Sequence, residues 1–361
     1  MSFDYAWSRH LHCTERSAVQ VYATTWLLDQ QLRSHRPDVL REDEKFQLLH
    51  NKEGELTMDA IVTAGGIPQP NDPLYAYSNG DSKALIDVAG KPMVQWVLDA
   101  LGEAKHVDNV ILIGLSAKSG LTCKKPIHYV SNQGRMLANI VTGVNKSLEI
   151  NRNNKYVLIV SSDIPALKGE MVDWLVSTCM QTKDDLYYGV CPREVMEKRF
   201  PDSKRTYTRL KDMEVCGADI NLTHVRMATE HLDTWEALIN NRKNPFKQAA
   251  VLGWDTLFQI VTRQFTVEGM VQRASERIGI KGHAIVWPYA EGCMDIDKPH
   301  QLELLRADLT RQQRKLAASK KPETKKTITK GKALPKKKSV KTSKPKPAAK
   351  KTIAKVKAKR K

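Results

Sequence analysis

Residues 58–66 read Met-Asp-Ala-Ile-Val-Thr-Ala-Gly-Gly, a short apolar stretch ending in three residues with little or no side chain. A run of this length and β-branched content fits a strand buried on both faces. Consecutive glycines after it let the backbone turn tightly and bring its N–H groups against a bound anion. The residues that follow keep the same alternation. Met93, Val94, Val97, Leu98 and Leu101 make an apolar stripe behind Gly90-Lys91-Pro92, which predicts a helix with proline in its first turn. Strands are predicted at 110–113 and 127–130, a helix at 135–148, and a central strand at 156–160 that ends in Ser161-Ser162-Asp163-Ile164-Pro165. Strand, loop and helix in repetition imply an α/β fold, a mostly parallel sheet covered by helices on both faces. Ligands of such sheets bind beyond the carboxyl ends of the strands, where Gly65, Gly66 and Asp163 fall.

Charge divides the chain. Of a net +18, residues 311–361 hold 22 Lys and Arg against Glu323 alone, which leaves 36 basic and 39 acidic side chains in residues 1–310. From about residue 318 the composition is Lys, Pro, Ala, Thr and Ser, too poor in apolar side chains to offset the entropy of ordering, so a disordered tail is expected. Its lysines, among them Lys336, Lys337, Lys338, Lys344, Lys346, Lys350 and Lys351, would neutralise phosphates without reading sequence, which makes DNA, RNA or another polyanion the expected partner. The Lys-Pro-Lys-Pro-Ala-Ala-Lys-Lys pattern is similar to linker-histone tails; a solubilising appendage is the alternative. Residues 58–310 make the expected α/β domain, with predicted helices at 230–241, 246–262 and 267–278 forming a helical insertion over 230–282. Residues 1–57 are an extension with one predicted helix at 17–32 and no assigned role.

Other classes are disfavoured. The six cysteines include no C-x-x-C pair, which argues against a zinc site or a dithiol redox motif, and His10 and His12 beside Cys13 lack a fourth ligand nearby. No stretch approaches the ~20 apolar residues of a membrane helix, and the amino end has no basic region followed by an apolar run, so a cytoplasmic location is expected.

Three separated pieces fit one chemistry. Ala64-Gly65-Gly66 can cradle phosphate, and Lys83 is a point charge able to neutralise a triphosphate or charge developing at phosphorus. Asp163 and the pair Asp295/Asp297 each sit in a turn after a strand, and hard oxygens in ones and twos suit Mg²⁺ with phosphate and water completing its shell.

In this order Ala64-Gly65-Gly66, Lys83, Gly90-Lys91-Pro92, Gly134 with Asn139, Ser162-Asp163-Ile164-Pro165 and Asp295-Ile296-Asp297-Lys298-Pro299 resemble the NTP-transferase family of molybdenum-cofactor guanylyltransferases and sugar-phosphate nucleotidylyltransferases. The resemblance implies a Rossmann-like, GT-A-type nucleotidyltransferase fold and transfer of NMP from an NTP to a small phosphorylated acceptor, with release of pyrophosphate. It implies that Asp163 holds the metal, that Asp297 completes the site beside Asp295, and that Lys83 contacts phosphate. Ala64, Gly65, Gly66, Gly134, Arg135 and Asn139 are then expected around the nucleotide. The family's arginine soon after the glycines has no counterpart here, since 67–82 contains no basic residue; Arg135 is the first candidate to substitute, with Arg205 or Lys91 behind it.

Two other readings stand beside this one. In the first, the α/β body is a non-catalytic scaffold and the basic tail is the functional part. In the second the chain is a nucleotide-sugar glycosyltransferase, although Ser161-Ser162-Asp163 lacks the first acid of a D-x-D motif. The segment Arg205-Thr206-Tyr207-Thr208-Arg209 reads equally as an acceptor-holding loop and as an ordinary edge strand.

Overall fold

The structure is a computed structural model that describes residues 57–230, 232, 236, 262 and 264–319. The predicted helix at 17–32, the His10/His12/Cys13 group, nearly all of the helices predicted at 230–241 and 246–262, and the tail lysines lie outside the described residues. The chain divides into two units, 1–315 and 316–361, and the described part of the second is only the end of the last helix.

In chain order the strands are β1 (Met58–Thr63), β2 (Asp87–Val88), β3 (Lys91–Pro92), β4 (Val107–Ile113), β5 (Ile127–Val130), β6 (Tyr156–Ser161), β7 (Leu186–Pro192), β8 (Thr208–Arg209), β9 (Glu214–Gly217), β10 (Ile220–His224) and β11 (Gly282–Val286). Among the described residues all but β2 and β3 join one sheet, ordered β5-β4-β1-β6-β10-β7-β9-β8 with β11 also paired to β7. Strands β5, β4, β1 and β6 are parallel neighbours, and β11 is parallel to β7. Strand β10 runs against both β6 and β7, β9 against β7, and β8 against β9. The fold is therefore α/β on a mixed, mostly parallel sheet.

The pleat sends alternate residues to opposite faces. Ala60 and Val62 of β1, Val110 and Leu112 of β4, and Leu158 and Val160 of β6 pack with Val97 and Leu101 of helix Met93–Glu103, Val172 and Leu175 of helix Gly169–Cys179, and Leu302 and Leu305 of helix Pro299–Ser319. Their neighbours Ile61, Ile111, Ile113 and Val157 meet Leu137, Ile140 and Val144 of helix Met136–Ile150 on the other face. Asp59 is the charged exception in β1, and it is satisfied by Asn109 Nδ2 (2.8 Å), Ser147 Oγ (2.7 Å) and Asn154 Nδ2 (2.9 Å).

One local expectation is corrected. The helix behind Gly90-Lys91-Pro92 begins at Met93, with Pro92 as its N-cap rather than in its first turn. Lys91 and Pro92 pair instead with Val88 and Asp87 across a two-residue turn. Ala89 (φ 55) and Gly90 (φ 85) both have positive φ there, as a type I′ hairpin requires. Trp96 Nε1 donates to Val88 O (2.8 Å) and locks the hairpin to the helix. Of the Arg205–Arg209 segment only Thr208–Arg209 is a strand, at the sheet edge.

Candidate active site

The chain leaves β1 toward β4 and β5 on one side and toward β6 on the other, so the ends of β1 and β6 flank a topological switch point. Close backbone packing shapes this lip. A Cβ on Gly114, just after β4 and at φ +97°, would lie 2.2 Å from Gly65 Cα, and one on Gly65 would lie 2.7 Å from Asn132 Cγ. Asn132 Nδ2 donates to Gly65 O (2.9 Å), while its Oδ1 accepts from Gly134 N (2.9 Å) and Asn139 Nδ2 (3.0 Å). One carboxamide thus ties the loop after β1 to the loop after β5. The loop 67–82 returns to the same place, where Ser82 Oγ donates to Ala64 O (2.6 Å) and Lys83 N to Gly66 O (2.8 Å). Between these pieces is a cleft of about 290 Å³ bordered by Gly65, Gly66, Lys83, Gly134, Arg135 and Asp163. A wider hollow of about 550 Å³ beside helix Val267–Ile278 and β11 is lined by Asp184, Lys281, Gly282 and His283 among others, with one glycine rather than three and none of the residues that follow β1 or β6.

Charge at the lip is organised around two cations. Lys83 Nζ donates to Asp163 Oδ2 (2.8 Å) and to Asp297 Oδ1 (2.7 Å). Asp163 also accepts from Ser161 Oγ (2.6 Å), and its backbone carbonyl accepts from Ile296 N (3.0 Å), which stitches the 295–297 turn to the end of β6. Burial works against the Lys83 charge, but the carboxylate of Asp163, joined by that of Asp297, outweighs it and raises the lysine's pKa. Asp297 N and Lys298 N both donate to Gln301 Oε1 (2.9 Å each), fixing the turn before helix Pro299–Ser319.

The second cation is Arg205. It forms ion pairs with Asp295 and, at 3.9 Å, with Asp219, and donates from Nη2 to Gly217 O (3.4 Å). Burial, then the charge of Asp163, pushes the Asp219 carboxyl up to about 7 against the opposing pull of Arg205.

The expected residues therefore separate. Asp163, Asp297 and Lys83 come together, with Gly65, Gly66 and Gly134 at the cleft. Asp295, expected to share the cation site, turns instead to Arg205, whose guanidinium is the nearer counter-charge in a spot where both side chains are nearly buried. Asn139 borders the cleft, but both ends of its amide are engaged, Oδ1 accepting from Gln133 N (2.7 Å), so it shapes the loop rather than offering a free group. Arg135 stands on the rim, 75% exposed and 3.4 Å from Glu236. Arg205 does not substitute for the missing arginine, because it is occupied by acids.

Sequence reading missed Asn132, Ser161, Gly114 and Asp219. Gly114 alone carried a signal, as a glycine ending a strand beside another strand that ends in glycine.

The two carboxylates that share Lys83 supply oxygens from separate loops aimed at one cationic centre, a donor set that fits Mg²⁺. Among the described residues no group of three or more His, Cys, Asp or Glu is arranged to hold a metal by itself, so the remaining ligands would come from phosphate and water. No helix among those residues is long and apolar enough to cross a membrane.

A family model described as the MobA-like NTP transferase domain matches residues 61–321. Among solved structures, a hypothetical transferase from Thermus thermophilus is 29% identical, over 68% of this chain and 99% of that one, with a TM-score of 0.60. A CMP:2-keto-3-deoxy-manno-octonic acid synthetase complexed with CTP is 12% identical over 71% of this chain and all 100% of its own, at a TM-score of 0.46. A 2-C-methyl-D-erythritol 4-phosphate cytidylyltransferase, also from Thermus thermophilus, is 13% identical over 71% and 100%, at 0.41. None of the curated proteins matches the chain.

Proposed function

This chain belongs to the MobA-like NTP transferase family and is a nucleotidyltransferase, and from that premise we propose that it transfers NMP from an NTP to a small phosphorylated acceptor. An acceptor phosphate oxygen forms the new bond to the α-phosphorus, the bond from that phosphorus to the β-phosphate oxygen breaks, and pyrophosphate leaves with the electron pair. The acceptor is already an anion, so the reaction calls for positioning and charge stabilisation more than for a general base.

The observation that carries this reading is the Lys83 ammonium bridging Asp163 and Asp297 at the mouth of a glycine-lined cleft. Asp163 and Asp297 are the residues that would hold Mg²⁺, which supplies neutralisation of the triphosphate and polarisation of the α-phosphoryl oxygens. Lys83, kept protonated by its acidic neighbours, then turns to the phosphates and absorbs charge that builds up in the transition state. A Cβ on Gly66 would meet nothing within 4 Å, so no packing demands a glycine there, and its smallness serves the close approach of phosphate to backbone N–H groups. Arg135 is the basic residue of the cleft border besides Lys83 and is the proposed substitute for the family's arginine. The catalytic body spans 58–310, and the basic residues beyond it form a tether for nucleic acid or another polyanion; that part of the proposal rests on composition.

The test is pyrophosphate release from each of the four NTPs with Mg²⁺ and a panel of small phosphate monoesters. Asp163→Ala should lower turnover by about 10²–10³-fold, the scale of removing a principal source of transition-state charge stabilisation. Undiminished turnover in that variant would reject the assigned role.

A further inference from the structure

Four carboxylates meet at the lip of the sheet, and two cations divide them in pairs: Lys83 with Asp163 and Asp297, Arg205 with Asp219 and Asp295. The pairs differ in kind. Lys83 is a compact ammonium on a flexible stem, and its partner Asp297 has 60% of its side chain exposed, so this pair opens readily to an incoming ion. Arg205 is a planar, permanently charged fork whose side chain is 14% exposed against the 11% of Asp295, and its Nη2 also donates to the Gly217 carbonyl. Strand β10 starts directly after Asp219, and Asp219 O accepts from Ser161 N (2.8 Å), so this acid is fixed to the end of the strand that carries Asp163.

Carboxylate clusters at phosphoryl-transfer centres commonly take two divalent ions a few ångströms apart. Here Asp295 of the second set is already paired within the protein, and Asp219 lies 3.9 Å from the same guanidinium. We propose that Arg205 is a positioning residue that takes the place of a second divalent cation. By pairing with Asp295 and placing its charge beside Asp219, it restricts the site to one metal ion, at Asp163 and Asp297. The inference rests on the metal reading given above and specifies how many ions that site accepts.

The experiment is Mn²⁺ binding to the full chain, followed by the electron paramagnetic resonance of free Mn²⁺, with thermal melts of the same samples. Wild type should bind one ion. Arg205→Met should bind about two, with any lost turnover largely restored by about tenfold higher Mg²⁺, and Arg205→Met combined with Asp295→Asn should return to one. A folded Arg205→Met protein that still binds a single Mn²⁺ overturns the proposal. Asp295→Asn provides a second measurement that does not depend on how well Arg205→Met folds. If Arg205 excludes Asp295 from the metal, Mn²⁺ affinity in this variant stays within about twofold of wild type, whereas a fall of about tenfold, near 1.4 kcal/mol, overturns the proposal. Absence of any Mn²⁺ binding by wild type would sink the metal reading itself, a result distinct from a second ion failing to appear.

Discussion

The two halves of the sheet hold the site in different ways. In β5, β4, β1 and β6 the strands are parallel, with β4, β1 and β6 largely buried and the edge strand β5 half-buried, and their ends are joined by the close backbone packing of Gly65 against Gly114 and by the Asn132 carboxamide bonded to Gly65 and Gly134. The half from β10 to β8 is mixed in direction and contributes charge, with Asp219, Arg205 and, beyond β11, Asp295 and Asp297 positioned by ion pairs. One half makes a rigid cradle and the other an adjustable electrostatic wall. Substitutions in the first should act through shape, and those in the second through pH and ions.

The strongest way to break that contrast is Gly114→Ala. The new methyl would overlap Gly65 Cα at 2.2 Å and Gly65 N at 2.5 Å in a residue whose φ of +97° disfavours any side chain, and both atoms are backbone that cannot rotate away. Left-handed strain contributes about 1–2 kcal/mol and overpacking about 1–3 more. A loss of about 3 kcal/mol or more in denaturant unfolding is expected, together with loss of NTP binding in a calorimetric titration. A variant of wild-type stability that binds NTP normally would show that the two glycine turns are not locked as described.

What the sequence revealed follows the same division. The parallel half was legible because strands covered on both faces read as unbroken apolar runs, and because catalytic groups of parallel sheets sit after strands, as Gly65, Gly66 and Asp163 do. Asp219 could not be found by that rule, since it precedes β10. The strand is reversed, pairing Ile220 with Val160, and only that reversal brings the residue before its start to the lip where parallel strands end. Asp295 and Asp297 looked equivalent because spacing says nothing about which acid a buried arginine will claim. Lys91 and Pro92 read as a helix start because proline favours that position, whereas the chain uses them for a short hairpin just before it.

A smaller effect sharpens the electrostatic side. Asp219, facing Asp163, Asp297, Lys83 and Arg205, has its pKa raised by burial and by the nearby acids to about 7, against the ordinary carboxylate value of about 3.9. The folded protein therefore keeps a proton that the unfolded chain gives up between about pH 4 and 7, and stability falls as pH rises through that window. Asp219→Asn removes the penalty. In metal-free buffer the variant should melt a few degrees above wild type at about pH 8 and no higher at about pH 5, where wild-type Asp219 is already neutral. An equal shift at both pH values would point to packing, and the charge-held description of this half would fail.

The smallest predicted effect concerns the β2–β3 hairpin, which stands outside the main sheet, and runs toward greater stability. Ala89 sits at φ 55 in the first position of the β2–β3 turn, next to Gly90 at φ 85. An alanine there bears the left-handed strain that asparagine tolerates, and Asn-Gly is the favoured pair for a type I′ turn. Asparagine is a better choice than a second glycine, which would add unfolded-state entropy and cancel much of the gain. The opposing term is packing, because Ala89 is partly buried against the core and its carbonyl accepts from Gln313 Nε2 (3.2 Å) on the last helix. That hydrogen bond uses only backbone on the hairpin side and survives the change, so Ala89→Asn is expected to stabilise the protein by about 0.5–1 kcal/mol in chemical unfolding. Destabilisation instead would mean that the methyl's contact with the core outweighs the turn's conformational preference, so that even this hairpin is held mainly by side-chain packing.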